Sequence, residues 1–80
     1  MIRILLFAQA RDADGSDSIE WAVSEPQTAD ALWNWLATQA PRLGALRPIC
    51  RVACNAEYLA DHEIIRPGDE VAVIPPVSGG

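Results

Sequence analysis

One stretch of this chain, Ala29 to Ala40, repeats its apolar residues at helical spacing, and the segments around it alternate with a period of two. The two periods cannot be interchanged: period 3.6 lays a stripe along a helix, whereas period 2 separates the faces of a strand. Ala29, Leu32, Trp33, Leu36 and Ala40 share the helical stripe. Thr28 is placed to cap its start, Asp30 stands in its first turn, and Pro41 ends it. Trp35 falls about 100° from the stripe centre and is expected as an exposed aromatic at its margin.

Strands are expected on both sides. Ile2 to Ala8 puts Ile2, Ile4, Leu6 and Ala8 on one face and Arg3, Leu5 and Phe7 on the other. After a polar turn cluster at Asp12 to Asp17, Ile19, Trp21 and Val23 alternate in a second strand, giving a hairpin. Pro26 stops it. Beyond the helix, Arg42 to Pro48 reads as a loop, and Ile49 to Asn55 as a third strand with Cys50, Val52 and Cys54 inward. Glu57 to Leu59 forms a short edge strand, Pro67-Gly68 suits the centre of a type II turn, and Glu70 to Ile74 is the last strand. The order implies an α+β domain: a mixed sheet of about five strands crossed on one face by one main helix. With the first and last strands adjacent, Leu5, Phe7, Ala72 and Ile74 lie on the uncovered face. An apolar patch there marks a partner surface.

Half of the residues are hydrophobic, against disorder, and the net charge is −5. All six basic residues are arginines, scattered along the chain, so no stripe follows a phosphate backbone and nucleic acid is not an expected partner. No segment reaches the ~20 apolar residues of a membrane span, and the amino terminus does not read as a signal sequence. Cys50 and Cys54 share a strand face at about 13 Å, too far apart for a disulfide, and read as small buried hydrophobes. A cytoplasmic location fits.

Motifs for internal chemistry fail on inspection. Asp12-x-Asp14 opens like a calcium loop, but Asp17 stands where glycine is needed and Val23 where glutamate is needed. His62-Glu63 opens like a zinc-protease helix, yet Arg66 occupies the second histidine's place. No metal site and no bound cofactor are expected. What remains is the ending: Pro75-Pro76-Val77-Ser78-Gly79-Gly80 follows the last strand without a linker. A Gly-Gly tail is thin enough to enter a narrow channel. Val77 to Gly80 spans at most about 14 Å when extended. Residues 1–76 thus form the domain and 77–80 a tail whose reactive group is the Gly80 carboxylate. That carboxylate is anionic and a poor electrophile until ATP converts it to an acyl-adenylate. A sulfur donor then yields a thiocarboxylate; a thiol or an amine yields a thioester or an isopeptide.

Met1-Ile2-x-Ile4-Leu5-x-Phe7-Ala8-x-x-Arg11, Asn55, Gly68-Asp69-Glu70-Val71 and the ending from Pro75 to Gly80 together resemble the small subunits of molybdopterin synthase, a ubiquitin-like sulfur carrier family. The resemblance runs the length of the chain. It implies a ubiquitin-like β-grasp fold and a tail adenylated by a ubiquitin-activating-type enzyme that uses ATP. It further implies a Gly80 thiocarboxylate that enters the large subunit of a heterotetrameric synthase. There it gives its sulfur to cyclic pyranopterin monophosphate. The active site is then expected on the large subunit, with no catalytic side chain in this chain. The resemblance also implies Gly79 and Ser78 as tail, and Phe7, Tyr58, Ile74, Pro75, Pro76 and Val77 as positions expected to face partners. Three alternatives stay open: a sulfur carrier of another pathway such as thiamine thiazole synthesis, a ubiquitin-like protein modifier, and an interaction module with an inert tail.

Overall fold

A computed structural model describes residues 1–76. Five strands form the main sheet: β1 (Ile2–Leu6), β2 (Ser18–Trp21), β4 (Arg51–Cys54), β5 (Glu57–Tyr58) and β7 (Glu70–Ile74), in the order β2-β1-β7-β4-β5. β1 and β7 are parallel at the centre, with Ile4 opposite Val71 and Leu6 opposite Val73, and the other pairs are antiparallel. Parallel neighbours need a crossover, and here the crossover carries helix α2 (Ala29–Gln39) across one face. This is the ubiquitin-like β-grasp. Leu32, Trp33 and Leu36 of α2 join Ile2, Ile4, Leu6, Val52, Cys54, Val71 and Val73 in one buried cluster, the union of the helical stripe with the inward strand parity. Two short strands outside that sheet, β3 (Gln27–Thr28) and β6 (Ile64–Ile65), pair with each other and bury Ile65.

The start of α2 is tightly tied. Thr28 Oγ1 accepts from the Ala31 amide at 3.0 Å, as its capping role requires. The amides of Ala29 and Asp30 donate to the carbonyls of Glu63 and Asp61, satisfying donors that a helix leaves open. Arg47 then bridges Asp30 at 2.6 Å and Asp61 at 3.1 Å, fastening the loop before β4 to the same point.

Several boundaries depart from the sequence reading. β1 ends at Leu6, two residues short of the expected strand end, and Ala8 turns the chain at φ 47°; a short helix α1 (Gln9–Asp14) follows and takes up the first half of the expected polar turn. Only Ala10 of α1 is buried, so the segment has no apolar stripe to betray a helix. The turn itself falls at Gly15, φ 88°, whose amide donates to the Arg11 carbonyl. Pro41 ends α2 and also opens a helix, α3 (Pro41–Gly44), which proline tolerates at its first position. α3 buries Leu43, so the expected loop from Arg42 is partly helical. β4 begins two residues later than expected, leaving Ile49 exposed. Trp35 is half-buried rather than exposed: it stacks on Trp21 with ring centroids 5.3 Å apart. The margin of the helix meets the edge strand, a contact that helical angle alone does not show.

Candidate functional site

Opposite α2, the outward residues of the sheet line up across all five strands. Ser18 lies opposite Leu5, Leu5 opposite Ala72, Ala72 opposite Ala53, and Ala53 opposite Tyr58. The next row toward the carboxyl end of β7 pairs Ile74 with Arg51. Phe7 follows directly on β1, one step past the Leu6–Val73 pair, and so stands at the level of Ile74. Phe7 is 49% exposed and Tyr58 52%, while Leu5, Ala72 and Ile74 are half-buried. Two large rings therefore flank a shallow floor of small and aliphatic side chains. Arg51 lies with its guanidinium carbon 4.3 Å from the centre of the Tyr58 ring, which sets a positive charge on the rim. At the other end of the face, Arg3 stands between Glu20 and Glu70, so the apolar zone is confined to the end from which the chain leaves β7.

Pro75 is half-buried and Pro76 exposed just beyond Ile74. Proline fixes φ and cannot donate a hydrogen bond to a neighbouring strand. The pair therefore ends the sheet and sends the chain out beside Phe7 and Ile74. Val77, Ser78, Gly79 and Gly80 lie outside the described residues, as does the tail proposed for 77–80.

The remaining motif residues align this exit. Asn55 and Ala56 have φ 50° and 71° in the two-residue loop between β4 and β5, the signature of a type I′ hairpin turn. Asn55 holds Glu70 through both its backbone and its side chain: its amide donates to the Glu70 carbonyl at 2.8 Å, and its Oδ1 accepts from the Glu70 amide at 3.1 Å. Gly68 sits at φ 93° in the turn before β7, where the Asp69 amide donates to the Arg66 carbonyl. Asp69 Oδ2 accepts from the Arg66 amide at 2.8 Å and from Cys54 Sγ at 3.4 Å, and Oδ1 accepts from Asn55 Nδ2. The Arg66 amide in particular holds the Asp69 carboxyl below its ordinary range. Burial, reinforced by Asp69, pushes the Cys54 thiol up to about 11. Such a thiol is a weak nucleophile at neutral pH. Asn55, Gly68 and Asp69 thus fix the start and register of β7, and with it the point at which the chain leaves the sheet.

Cys50 and Cys54 are free and buried, as their parity predicts. Among the described residues no cluster of three or more histidine, cysteine, aspartate or glutamate side chains could hold a metal ion. None of their helices is long and apolar enough to cross a membrane. Sequence reasoning missed Arg51 and Ala53 as members of the outer face. The signal was present, since both have the opposite parity to Val52 and Cys54.

Comparison with known proteins gives the same picture. Residues 4–80 match the ThiS family. The molybdopterin synthase sulfur carrier subunit of Escherichia coli K12 is 37% identical over 82 aligned positions, covering all of both chains. That of Arabidopsis thaliana is 35% identical over 79 residues, covering 99% of this chain and 82% of the plant protein. Among solved structures, SAMP1 of Haloferax volcanii superposes with a TM-score of 0.80 at 31% identity, covering 99% of this chain and 98% of its own. A core, an outer face and a chain exit of this arrangement, matched along the whole sequence, leave one assignment: the chain belongs to the ThiS family, in company with the molybdopterin synthase sulfur carrier subunits.

Proposed function

We propose that this protein is the sulfur-carrying small subunit of a molybdopterin synthase, with Gly80 as the residue that is activated and bears the sulfur. The observation that carries the reading is the full-length match to sulfur carrier subunits of that enzyme. An adenylating enzyme of the ubiquitin-activating type joins the Gly80 carboxylate to AMP, releasing pyrophosphate from ATP. A sulfur donor displaces AMP and leaves a thiocarboxylate. The tail then enters the large subunit, where the sulfur is transferred to cyclic pyranopterin monophosphate. One structural relative is a complex of subunits 1 and 2 of the molybdopterin-converting factor of Helicobacter pylori, which supports a large-subunit partner for this chain. Phe7, Ile74, Tyr58, Pro75 and Pro76 provide the docking surface beside the exit, with Val77 and Ser78 passing into the partner.

A second reading has its own support. One solved structure it resembles is small archaeal modifier protein 1 of Haloferax volcanii, so attachment of Gly80 to amines on other proteins is the alternative use of the same activated tail. Reconstitution with the large subunit and thiocarboxylate-loaded carrier separates the two. The sulfur carrier makes molybdopterin, and deleting Gly80 abolishes it. The deletion leaves the next carboxylate about 3.5 Å short, and a misplacement of about 1 Å can already cost ~100-fold. Molybdopterin formation at the full rate by the Gly80 deletion would end the assignment. Protein conjugates without molybdopterin formation would favour the modifier.

A further inference from the structure

Acyl transfer needs a nucleophile as well as an activated carboxylate, and the body of this chain presents very little to attack with. All six basic residues are arginines, so the chain has no side-chain amine. A guanidinium carries charge without becoming a free base at neutral pH. Both thiols are buried, and desolvation raises the pKa of each, so thiolate is scarce. Hydroxyls are weak nucleophiles without an adjacent base, and an acyl group taken by the His62 imidazole would be lost to water.

Position reinforces composition. The side chain directly across from Ile74, the last residue of β7, is Arg51. Opposed residues in an antiparallel pair are about 5 Å apart, so this guanidinium lies at the root of the tail. The α-amine of Met1 is carried the other way. Because β1 runs parallel to β7, with Leu6 beside Val73, Met1 lies at the far end of the sheet, about 17 Å back along the strand at ~3.4 Å per residue.

We infer that the folded body is inert toward its own activated carboxyl end, and that Arg51 supplies positive charge at the tail exit in a form that cannot be acylated. The inference rests on the reading of Gly80 as the activated residue. It adds that the acyl group is reserved for a nucleophile held by another protein. The reaction excluded is simple: an amine nitrogen attacks the Gly80 carbonyl carbon and a C–N bond forms. The bond to the leaving group, the oxygen of AMP or the sulfur of a thioester, breaks, and the amine gives up its proton. No electrons change hands.

The test uses the full chain carrying a carboxyl-terminal thioester, made by thiolysis of an intein fusion, so that no activating enzyme is involved. Intact mass is followed near neutral pH. The wild-type thioester is expected to hydrolyse to the free acid without an internal amide or a covalent dimer. Arg51→Lys places an amine opposite Ile74, where the chain leaves the sheet, at an effective concentration of roughly 1 mM toward its own carboxyl end, about 100-fold above that of a neighbouring molecule at ~10 µM. It is expected to collect as an internal amide about 18 Da lighter than the free acid. Ile49→Lys, at an exposed site just before β4, should do the same and guards against a folding defect in the first variant. Arg66→Lys, in the turn at the opposite end of β7, should behave as wild type. Hydroxylamine added to each sample shows that the thioester is live. Self-capture in wild type at the rate of the lysine variants would overturn the proposal. So would no self-capture in either Arg51→Lys or Ile49→Lys while hydroxylamine is acylated. Inertness together with a failed molybdopterin assay would count against the function alone.

Discussion

Gly44 is where α3 meets α2, and replacing it with alanine sets two opposed effects against each other. Its backbone is helical, so alanine gains about 1 kcal/mol in helix propensity. The new methyl, however, would lie 2.7 Å from Ala37 Cα, 2.9 Å from Ala37 N and 3.2 Å from Leu36 C. Carbon contacts are comfortable at about 3.5 to 4.0 Å. All three atoms belong to the backbone of α2, so no side chain can swing aside; the helices must part. Overpacking of this kind costs about 1 to 3 kcal/mol, and rigid neighbours place Gly44 in the upper part of that range. The net expectation is a loss of about 1 to 2 kcal/mol. For a domain of this size that lowers Tm by roughly 4 to 16 °C. Thermal and urea unfolding followed by circular dichroism would measure it, with the native spectrum retained. An unchanged or raised Tm would refute the reasoning, because it would mean that α3 is not seated on α2.

Three further outcomes are expected. Leu36→Ala should cost about 2 to 5 kcal/mol in urea unfolding, because Leu36 is fully buried where α2 crosses the sheet; a loss below about 1 kcal/mol would contradict that packing. Phe7→Asp should leave the melting curve nearly unchanged yet weaken binding to the large subunit by more than about 2 kcal/mol in calorimetry, whereas equal affinity would take Phe7 out of the interface. The Asp69 carboxyl, held low mainly by the Arg66 amide, favours the folded state above its unfolded pKa near ~3.9. That contribution is lost as pH falls through the lower folded value, so Asp69→Asn should flatten the acid limb of stability against pH; parallel wild-type and variant curves would show the pairing to be inert.

Much of the fold was legible because single-face burial leaves its period in the sequence. The stripe from Ala29 to Leu36 and the inward parity of Ile4, Leu6, Val52, Val71 and Val73 are such records, and they sufficed for the layer order. α1 was illegible for the same reason in reverse, since it buries Ala10 alone. α3 and the β3–β6 pair each contribute one fully buried large residue, Leu43 and Ile65, and one residue establishes no period. The outer face was half-legible. Phe7 and Ile74 followed from strand parity, but Arg51 stacked on Tyr58 depends on a cross-strand neighbourhood that requires the register. Asn55 and Asp69 could be matched to a family pattern, while their hydrogen bonds to Glu70, Arg66 and Cys54 required the structure.

The chain leaves the sheet from β7, the middle strand of the five, hydrogen-bonded to β1 on one side and β4 on the other. A pull on the tail is therefore a pull along the middle strand, and it loads both flanking ladders in shear rather than peeling one edge bond at a time. β1 grips β7 from Arg3 to Leu6 and β4 grips it from Arg51 to Cys54. Were the residues after Pro76 drawn into another protein, as proposed, the tension would be shared between two anchors, and the body would serve as the handle of a tool held by its middle strand.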